Sequence, residues 1–384
     1  MTGTSSPAGE VLIVGGGVIG LAAGYRLAGA GHQVRLVDAS AGRGASWVAA
    51  GMLAPVSEAG FGEDELTRLN LAAVEAFVRF AEELAALLGE SIGLRDSGTL
   101  VVAVNADDRA ALDRLSDHRE TLGLRTERLT GSRLRELEPY LTADARAGVL
   151  AADDLSVDNR RYLDALRAAC RSAGVRIEPG EVCELLREDG RVSGARLGSG
   201  ACYRAELTVL CAGAGTERLL PVGVRPVKGQ ILRLAVPERL AAGGPVLRHT
   251  VRGLVRGSEI YLVPRAGGEV VVGATSEQQG EDTTVTAGAV YELLRNAYEV
   301  LPISSEFTFV EASAGTRPGT GDNGPLVGWF EPGLLVASGH YRNGILLSAL
   351  TAEALTALAA GEQLAPHWQP FDPRRFSGKE FMPC

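Results

Sequence analysis

Apolar positions in this chain come in short unbroken runs near the start and at helical spacing further on. Val11, Leu12, Ile13 and Val14 form a continuous apolar run, the pattern of a strand buried on both faces of a parallel sheet. Ile19, Ala22, Ala23 and Leu27 then recur at helical spacing, and a second strand over 33–37 ends in Asp38. Leu66, Leu69, Ala73, Phe77, Phe80, Leu84 and Leu88 predict a long amphipathic helix over 65–88. A strand over 99–104 follows, then a helix over 107–122 with an Asp cap signal and a short helix over 129–139. Asp153, Asp154 and Asp158 precede a helix over 160–173, and their expected role is to cap it.

The next stretch is strand-like at 175–178, 182–187, 191–197 and 206–210. The last of these runs into the small residues Cys211, Ala212, Gly213, Ala214 and Gly215. Residues 226–310 are dominated by strands, at 231–234, 260–264, 269–273 and 306–310, with one helix over 287–301. Strand–turn–helix order returns at 333–360, and the polar, proline-rich residues 366–384 are expected to lie on the surface or stay unstructured. The fold class predicted is α/β: a Rossmann-like βαβ domain with an inserted antiparallel-sheet α+β substrate domain. The boundaries expected are 9–83, 145–225 and 311–368 for the dinucleotide domain, 84–144 and 226–310 for the insert, and 369–384 for a tail.

Between the first strand and helix lies a G-x-G-x-x-G motif, with Gly15, Gly17 and Gly20 as its glycines. Gly15 allows the tight turn, Gly17 lets the backbone approach a pyrophosphate, and Gly20 and Gly24 let the helix lie close to the sheet. The helix start at Val18 and Ile19 offers free N–H groups and a positive dipole end to phosphate. Asp38 is placed to hold ribose hydroxyls. The uncharged segment 44–57 is rich in Ala and Gly, and is expected to pack along a cofactor.

Composition narrows the function. The 384 residues suffice for two domains, and a net charge of −9 without a basic run excludes a nucleic-acid partner. No apolar run reaches the ~18 residues of a membrane span, and the first ten residues lack the basic and apolar regions of a signal peptide. Five cysteines without C-x-x-C spacing, and five scattered histidines, indicate reduced thiols in a cytoplasmic protein and no metal.

Two arginines draw attention as chemistry. Arg317 stands in a Gly-Thr-Arg-Pro-Gly segment and Arg342 in the turn before the last helix. A guanidinium is the bidentate, permanently charged partner that a small carboxylate needs, and the phenol of Tyr261 could add a hydrogen bond. Spacing alone does not bring Arg317 and Tyr261 together. The start of the last helix, at Asn343, Gly344 and Ile345, could face the negative edge of a reduced flavin.

Taken jointly, 15–38, 49–53, Pro226-Val227-Lys228-Gly229-Gln230, Tyr261-Leu262-Val263-Pro264-Arg265, Gly273-Ala274-Thr275, Arg317-Pro318-Gly319-Thr320 and 339–346 resemble the glycine oxidases of thiamine biosynthesis. These belong to the D-amino-acid oxidase class. The resemblance implies non-covalent FAD, glycine oxidised by hydride transfer to the flavin, and hydrogen peroxide formed from O2. It implies an imine released as glyoxylate and ammonia or passed to thiazole synthase machinery, and a homo-oligomer. Sarcosine or a small D-amino acid is the alternative substrate, through an oxidase or a dehydrogenase.

Arg317 then matches the carboxylate-binding arginine, assisted by Tyr261. Gly315 and Arg342 match positions near the amino group, and Met52 matches a residue lining the active site. Cofactor contacts are implied along the first βαβ unit at Gly15, Gly17, Val18, Ile19, Gly20, Asp38 and Ala39. Others are implied at Ser46, Ala49, Ala50, Gly51, Met52, Val182, Ala212 and Gly213, and in the last turn at His340, Arg342, Asn343, Gly344 and Ile345. Two residues depart from the family pattern: Glu259 stands where His is usual, and Thr316 where Leu is. The charge at Glu259 is expected to alter pH dependence or substrate preference.

Overall fold

A computed structural model describes residues 9–40 and 42–376. Its first sheet has six strands, in the spatial order Leu326–Glu331, Leu334–Ser338, Leu207–Leu210, Glu10–Val14, Gln33–Asp38, Arg176–Pro179. All neighbours are parallel except the edge strand Leu326–Glu331. The apolar run of the first strand is explained by its two covered faces. Val11 and Ile13 face a core built with the helices Val18–Gly29, Asp64–Leu88, Asn159–Ser172 and Gly344–Ala359. Leu12 and Val14 face the opposite way, against a three-stranded sheet that includes Leu185, Val192 and Ala195.

The second large sheet has eight strands, in the order Thr308–Gly319, Arg225–Ala235, Glu269–Gly273, Ser258–Pro264, Thr250–Val255, Thr99–Ala103, Ala147–Ala151, Glu127–Thr130. It is antiparallel apart from the pairing of Thr99–Ala103 with Thr250–Val255. The helix Ala287–Val300 lays Leu293, Ala297 and Val300 on Leu232, Leu262, Val270 and Val272.

Several expectations are corrected. Residues 147–151 and 308–319 pair within the eight-stranded sheet, although the expected boundaries put 145–151 and 311–319 with the cofactor domain. The strand expected at 306–310 starts at Thr308 and runs on to Gly319, which carries Gly315 and Arg317 into the sheet. Asn105, not Asp107, caps the helix Ala106–Thr121, its side chain accepting from Asp108 N at 2.9 Å. Of the three aspartates before Asn159–Ser172 only Asp158 caps it, accepting from Arg160 N and Arg161 N. Asp153 pairs with Arg125 at 3.0 Å. Gly24 is not needed for close packing, because a Cβ there would meet nothing nearer than 3.4 Å. The tail is not merely draped: Pro366–Phe371 is a 3-10 helix whose Trp368 and Phe371 are buried in the first core. Residues 1–8 and 377–384, Cys384 among them, lie outside the described residues.

Candidate active site

One continuous cleft runs from the start of the first helix to the face of the eight-stranded sheet, with an empty volume of about 1700 Å³ that includes open solvent. A dinucleotide with a substrate beside it calls for such length.

The half of the cleft near the first helix fits an anionic dinucleotide. Gly15 turns at φ +109°, and a Cβ there would lie 2.3 Å from the Cys211 carbonyl oxygen. A Cβ on Gly20 would lie 1.9 Å from the Gly15 carbonyl oxygen, so the helix can approach the turn only as glycine. The helix Val18–Gly29 has Gly17 as its cap, no acid in its first turn and no side-chain bond from its cap residue. Val18 N donates to the Ser46 hydroxyl at 3.1 Å. The helix Gly344–Ala359 likewise brings an acid-free, side-chain-uncapped start to the cleft wall. Asp38 accepts from Gly16 N at 2.6 Å through Oδ2, and from Ser40 N and Gly42 N through Oδ1. It therefore braces the turn as well as lining the cleft.

The segment 45–52 is a short helix and strand rather than a loose loop. Ala50 N and Gly51 N have no acceptor among the described residues. Two buried backbone donors in the wall of a cleft call for an acceptor from outside the chain. FAD would be held here, at Gly15, Gly17 and the first helix for its phosphates, and at 49–52 and the last turn for its flavin. Among the residues expected to contact it, Gly20, Ala39, Val182 and Asn343 lie outside the cleft wall. Gly20 acts through packing, Asn343 precedes the last helix without a side-chain bond to it, Ala39 is exposed, and Val182 opens a strand of the three-stranded sheet.

The sheet supplies what spacing could not. Arg317 and Tyr261 sit on strands separated by two others, Arg225–Ala235 and Glu269–Gly273. Each side chain crosses one of these over a glycine. A Cβ on Gly229 would strike the Arg317 guanidinium at 2.4 Å, and one on Gly273 would strike the Tyr261 hydroxyl at 2.5 Å. The two side chains thus converge, close enough for the Arg317 charge to act on the phenol. Burial raises the Tyr261 pKa, while Arg317 pulls it the other way. The net rise keeps the hydroxyl protonated, and so a donor, at neutral pH.

Three arginines line this half, in different electrostatic states. Arg252 is bracketed by two carboxylates, Glu58 at 2.9 Å and Glu259 at 3.1 Å. Arg317 has no carboxylate partner among the described residues; its Nη1 donates to the Thr275 carbonyl at 3.2 Å. Arg342 stacks over the Tyr341 ring at 5.2 Å. Arg317 is therefore open to a substrate anion. The Arg252 charge holds the Glu259 carboxyl below its usual range, with Arg342 and Arg119 adding to the effect. Glu259 therefore stays ionised through neutral pH, the charged form on which its expected influence on pH dependence or substrate preference depends. His340 lines the cleft, buried, with Nε2 3.0 Å from the Thr351 hydroxyl, and burial pushes its pKa down to about 3. It stays a neutral ring.

Glu58 and Arg252 were not among the expected site residues. No motif marks them, because Glu58 reaches the cleft only through the anchoring of 56–59. Asp154 accepts from Val56 N at 3.0 Å and from Ser57 N at 3.2 Å, and the buried Arg119 donates to the Ser57 and Ala59 carbonyls. Burial pushes the Asp154 pKa up to about 6, from 3.8. Between these values the folded protein keeps a proton that the unfolded chain releases. Stability from this group is therefore fully present below about pH 4, falls as pH rises towards 6, and is level above. Asp154→Asn mimics the protonated form. Its unfolding free energy should rise relative to wild type by on the order of 2 to 3 kcal/mol between pH 4 and 6. Urea titrations at steps of pH would read this; a difference independent of pH would refute it.

Among the described residues no helix is long and apolar enough to cross a membrane, and no group of His, Cys, Asp and Glu could hold a metal. Comparison with known proteins agrees with the geometry. Residues 10–358 match the model of the DAO family of FAD-dependent oxidoreductases. The glycine oxidase of Geobacillus kaustophilus is 35% identical over 96% of this chain and 98% of its own. A crystal structure of glycine oxidase from that organism superposes with a TM-score of 0.87, at 34% identity, over 97% of this chain and 100% of the other. The bifunctional protein ThiO/ThiG of Synechocystis is 33% identical over 96% of this chain, which spans 54% of that longer relative. The chain belongs to the DAO family of FAD-dependent oxidoreductases, as an amino acid oxidase akin to the glycine oxidases.

Proposed function

We propose that the protein oxidises glycine to its imine at the sheet end of the cleft. The observation that carries this reading is Arg317, open to an anion and beside a protonated Tyr261, at one end of a cleft whose other half cradles a dinucleotide. The guanidinium fork takes the substrate carboxylate in two parallel hydrogen bonds, and the Tyr261 hydroxyl donates a third. With the carboxylate fixed on the sheet, Cα is held towards segment 49–52 and the last turn. The backbone at Gly315 and Arg342 lies near the amino group. Bound FAD supplies the two-electron acceptor. No side chain needs to remove a proton from carbon, so orientation does much of the work.

O2 is the proposed electron acceptor, and the imine is hydrolysed to glyoxylate and ammonia or passed on for thiazole formation. The two-part name and greater length of the Synechocystis relative support a downstream partner. We also place the protein in the cytoplasm, as a homo-oligomer.

The visible spectrum before and after anaerobic addition of glycine tests the reading. A yellow protein that bleaches upholds it. A yellow protein that bleaches only with sarcosine or D-alanine moves the substrate to the alternative and overturns the proposal.

A further inference from the structure

We propose that Asn159 and Arg265 are positioning residues. They draw the carbonyls of segment 46–50 away from the cleft, so that its N–H groups, rather than its carbonyls, face the flavin. The observations are the destinations of four consecutive or near-consecutive carbonyls. Ser46 O and Trp47 O both accept from Asn159 Nδ2, at 2.9 Å each. Ala50 O accepts from Arg265 Nη2, and Gly51 O from Val157 N at 2.8 Å. Ala50 N and Gly51 N, in the cleft wall, are left without acceptors among the described residues.

The donors are costly ones to bury. Asn159 is fully buried, and Arg265 is 5% exposed, with Nε and Nη1 unpartnered among the described residues. Behind Asn159 stands a second buried guanidinium, Arg233, which donates to Asn159 Oδ1 at 3.2 Å and pairs with Glu269. That contact fixes the Asn159 amide with its NH2 towards the two carbonyls. Buried ionic groups of this kind often contribute no net stability over apolar residues of like volume. What apolar residues could not do here is hold carbonyl oxygens outward.

The consequence is electrostatic. A carbonyl turned into the cleft would place a negative dipole end against the flavin edge that gains electron density on reduction. Outward carbonyls and inward N–H groups favour that density. Arg265, without a carboxylate partner among the described residues, adds positive potential behind the same segment. Asn159 and Arg265 thus bias the site towards the reduced form of its cofactor, although neither lines the cleft.

The test compares wild type with Asn159→Ala, Arg265→Met and Arg265→Lys. The readings are the dissociation constant for FAD, the flavin midpoint potential, and the melting temperature of each apoprotein. Expected for Asn159→Ala and Arg265→Met is FAD binding at least tenfold weaker, with reduced flavin losing tenfold more affinity than oxidised. That ratio is a fall of about 30 mV for a two-electron couple. Arg265→Lys, which keeps the charge and one donor, should fall between them and wild type. A variant that melts lower as apoprotein yet keeps the wild-type potential would make the residues merely structural and overturn the inference. Should either larger change prevent folding, the Arg265→Lys potential decides alone: unshifted, it refutes. The inference rests on FAD as the occupant. A protein that takes up no FAD would defeat that reading, whereas equal FAD affinity and potential in all four proteins would defeat only this one.

Discussion

Replacing Arg317 with alanine should raise the KM for glycine by roughly 30- to 1,000-fold, the equivalent of about 2–4 kcal/mol. The protein should stay folded and yellow. Both halves of that expectation come from the same geometry. The guanidinium donates to the Thr275 carbonyl, and no carboxylate among the described residues is paired with it. Its removal therefore strands no buried charge, while the substrate loses its two-pronged partner. Arg317→Lys should recover only part of the loss, since an ammonium supplies charge without the fork. Tyr261→Phe serves as a graded control, removing one hydrogen bond and costing about 0.5–1.5 kcal/mol. Steady-state kinetics with glycine would check the series. A normal KM in Arg317→Ala would move the carboxylate site elsewhere, with Arg342 the next arginine to examine.

Gly20→Ala should give a protein that is colourless as purified and about 2–4 kcal/mol less stable, a cost at the upper end of that for overpacking. The added methyl would lie 1.9 Å from the Gly15 carbonyl oxygen, which is backbone and cannot swing aside. The first helix must lift from the sheet, and its N-terminal N–H groups leave the place where phosphates would sit. Gly24→Ala, one turn later, is the matched control. Its methyl would touch only side chains, at 3.4 Å or more, so colour and melting temperature should stay near wild type. The ratio of visible to ultraviolet absorbance and a thermal melt read both proteins. A yellow Gly20→Ala of normal stability would show that the turn can relax around a side chain.

The parts of this molecule that are local in sequence were legible before the structure. The run from Val11 to Asp38 contains its strand, turn, helix and acid within 28 residues, and each has a pattern of its own. The last turn and helix were legible for the same reason. The convergence of Arg317 and Tyr261 was not, because it depends on the register of four strands from three distant parts of the chain. Glu58 and Arg252 were invisible for a related reason: an ion pair 194 residues apart leaves no periodic trace. Burial of Trp368 and Phe371 was missed because a proline-rich, polar context outweighed two aromatic residues. Glu259 was recognised as an unusual charge, but the Arg252 that holds it ionised was unseen. The strand Ala147–Ala151 is short and contains three small residues among its five, so its pattern was weak.

The order of the six-stranded sheet also bears on how the chain is made. Its central strand, Glu10–Val14, pairs with Leu207–Leu210, which follows it some two hundred residues later, and beyond that lies Leu334–Ser338. The helix Gly344–Ala359 and the buried Trp368 that complete the core come later still. During synthesis the fingerprint strand must therefore wait with one apolar edge open while most of the chain emerges. Long-range pairing of this kind folds slowly and exposes strand edges on the way. The nascent chain is thus prone to aggregate until residues 334–371 have emerged, because its cofactor domain cannot close before then.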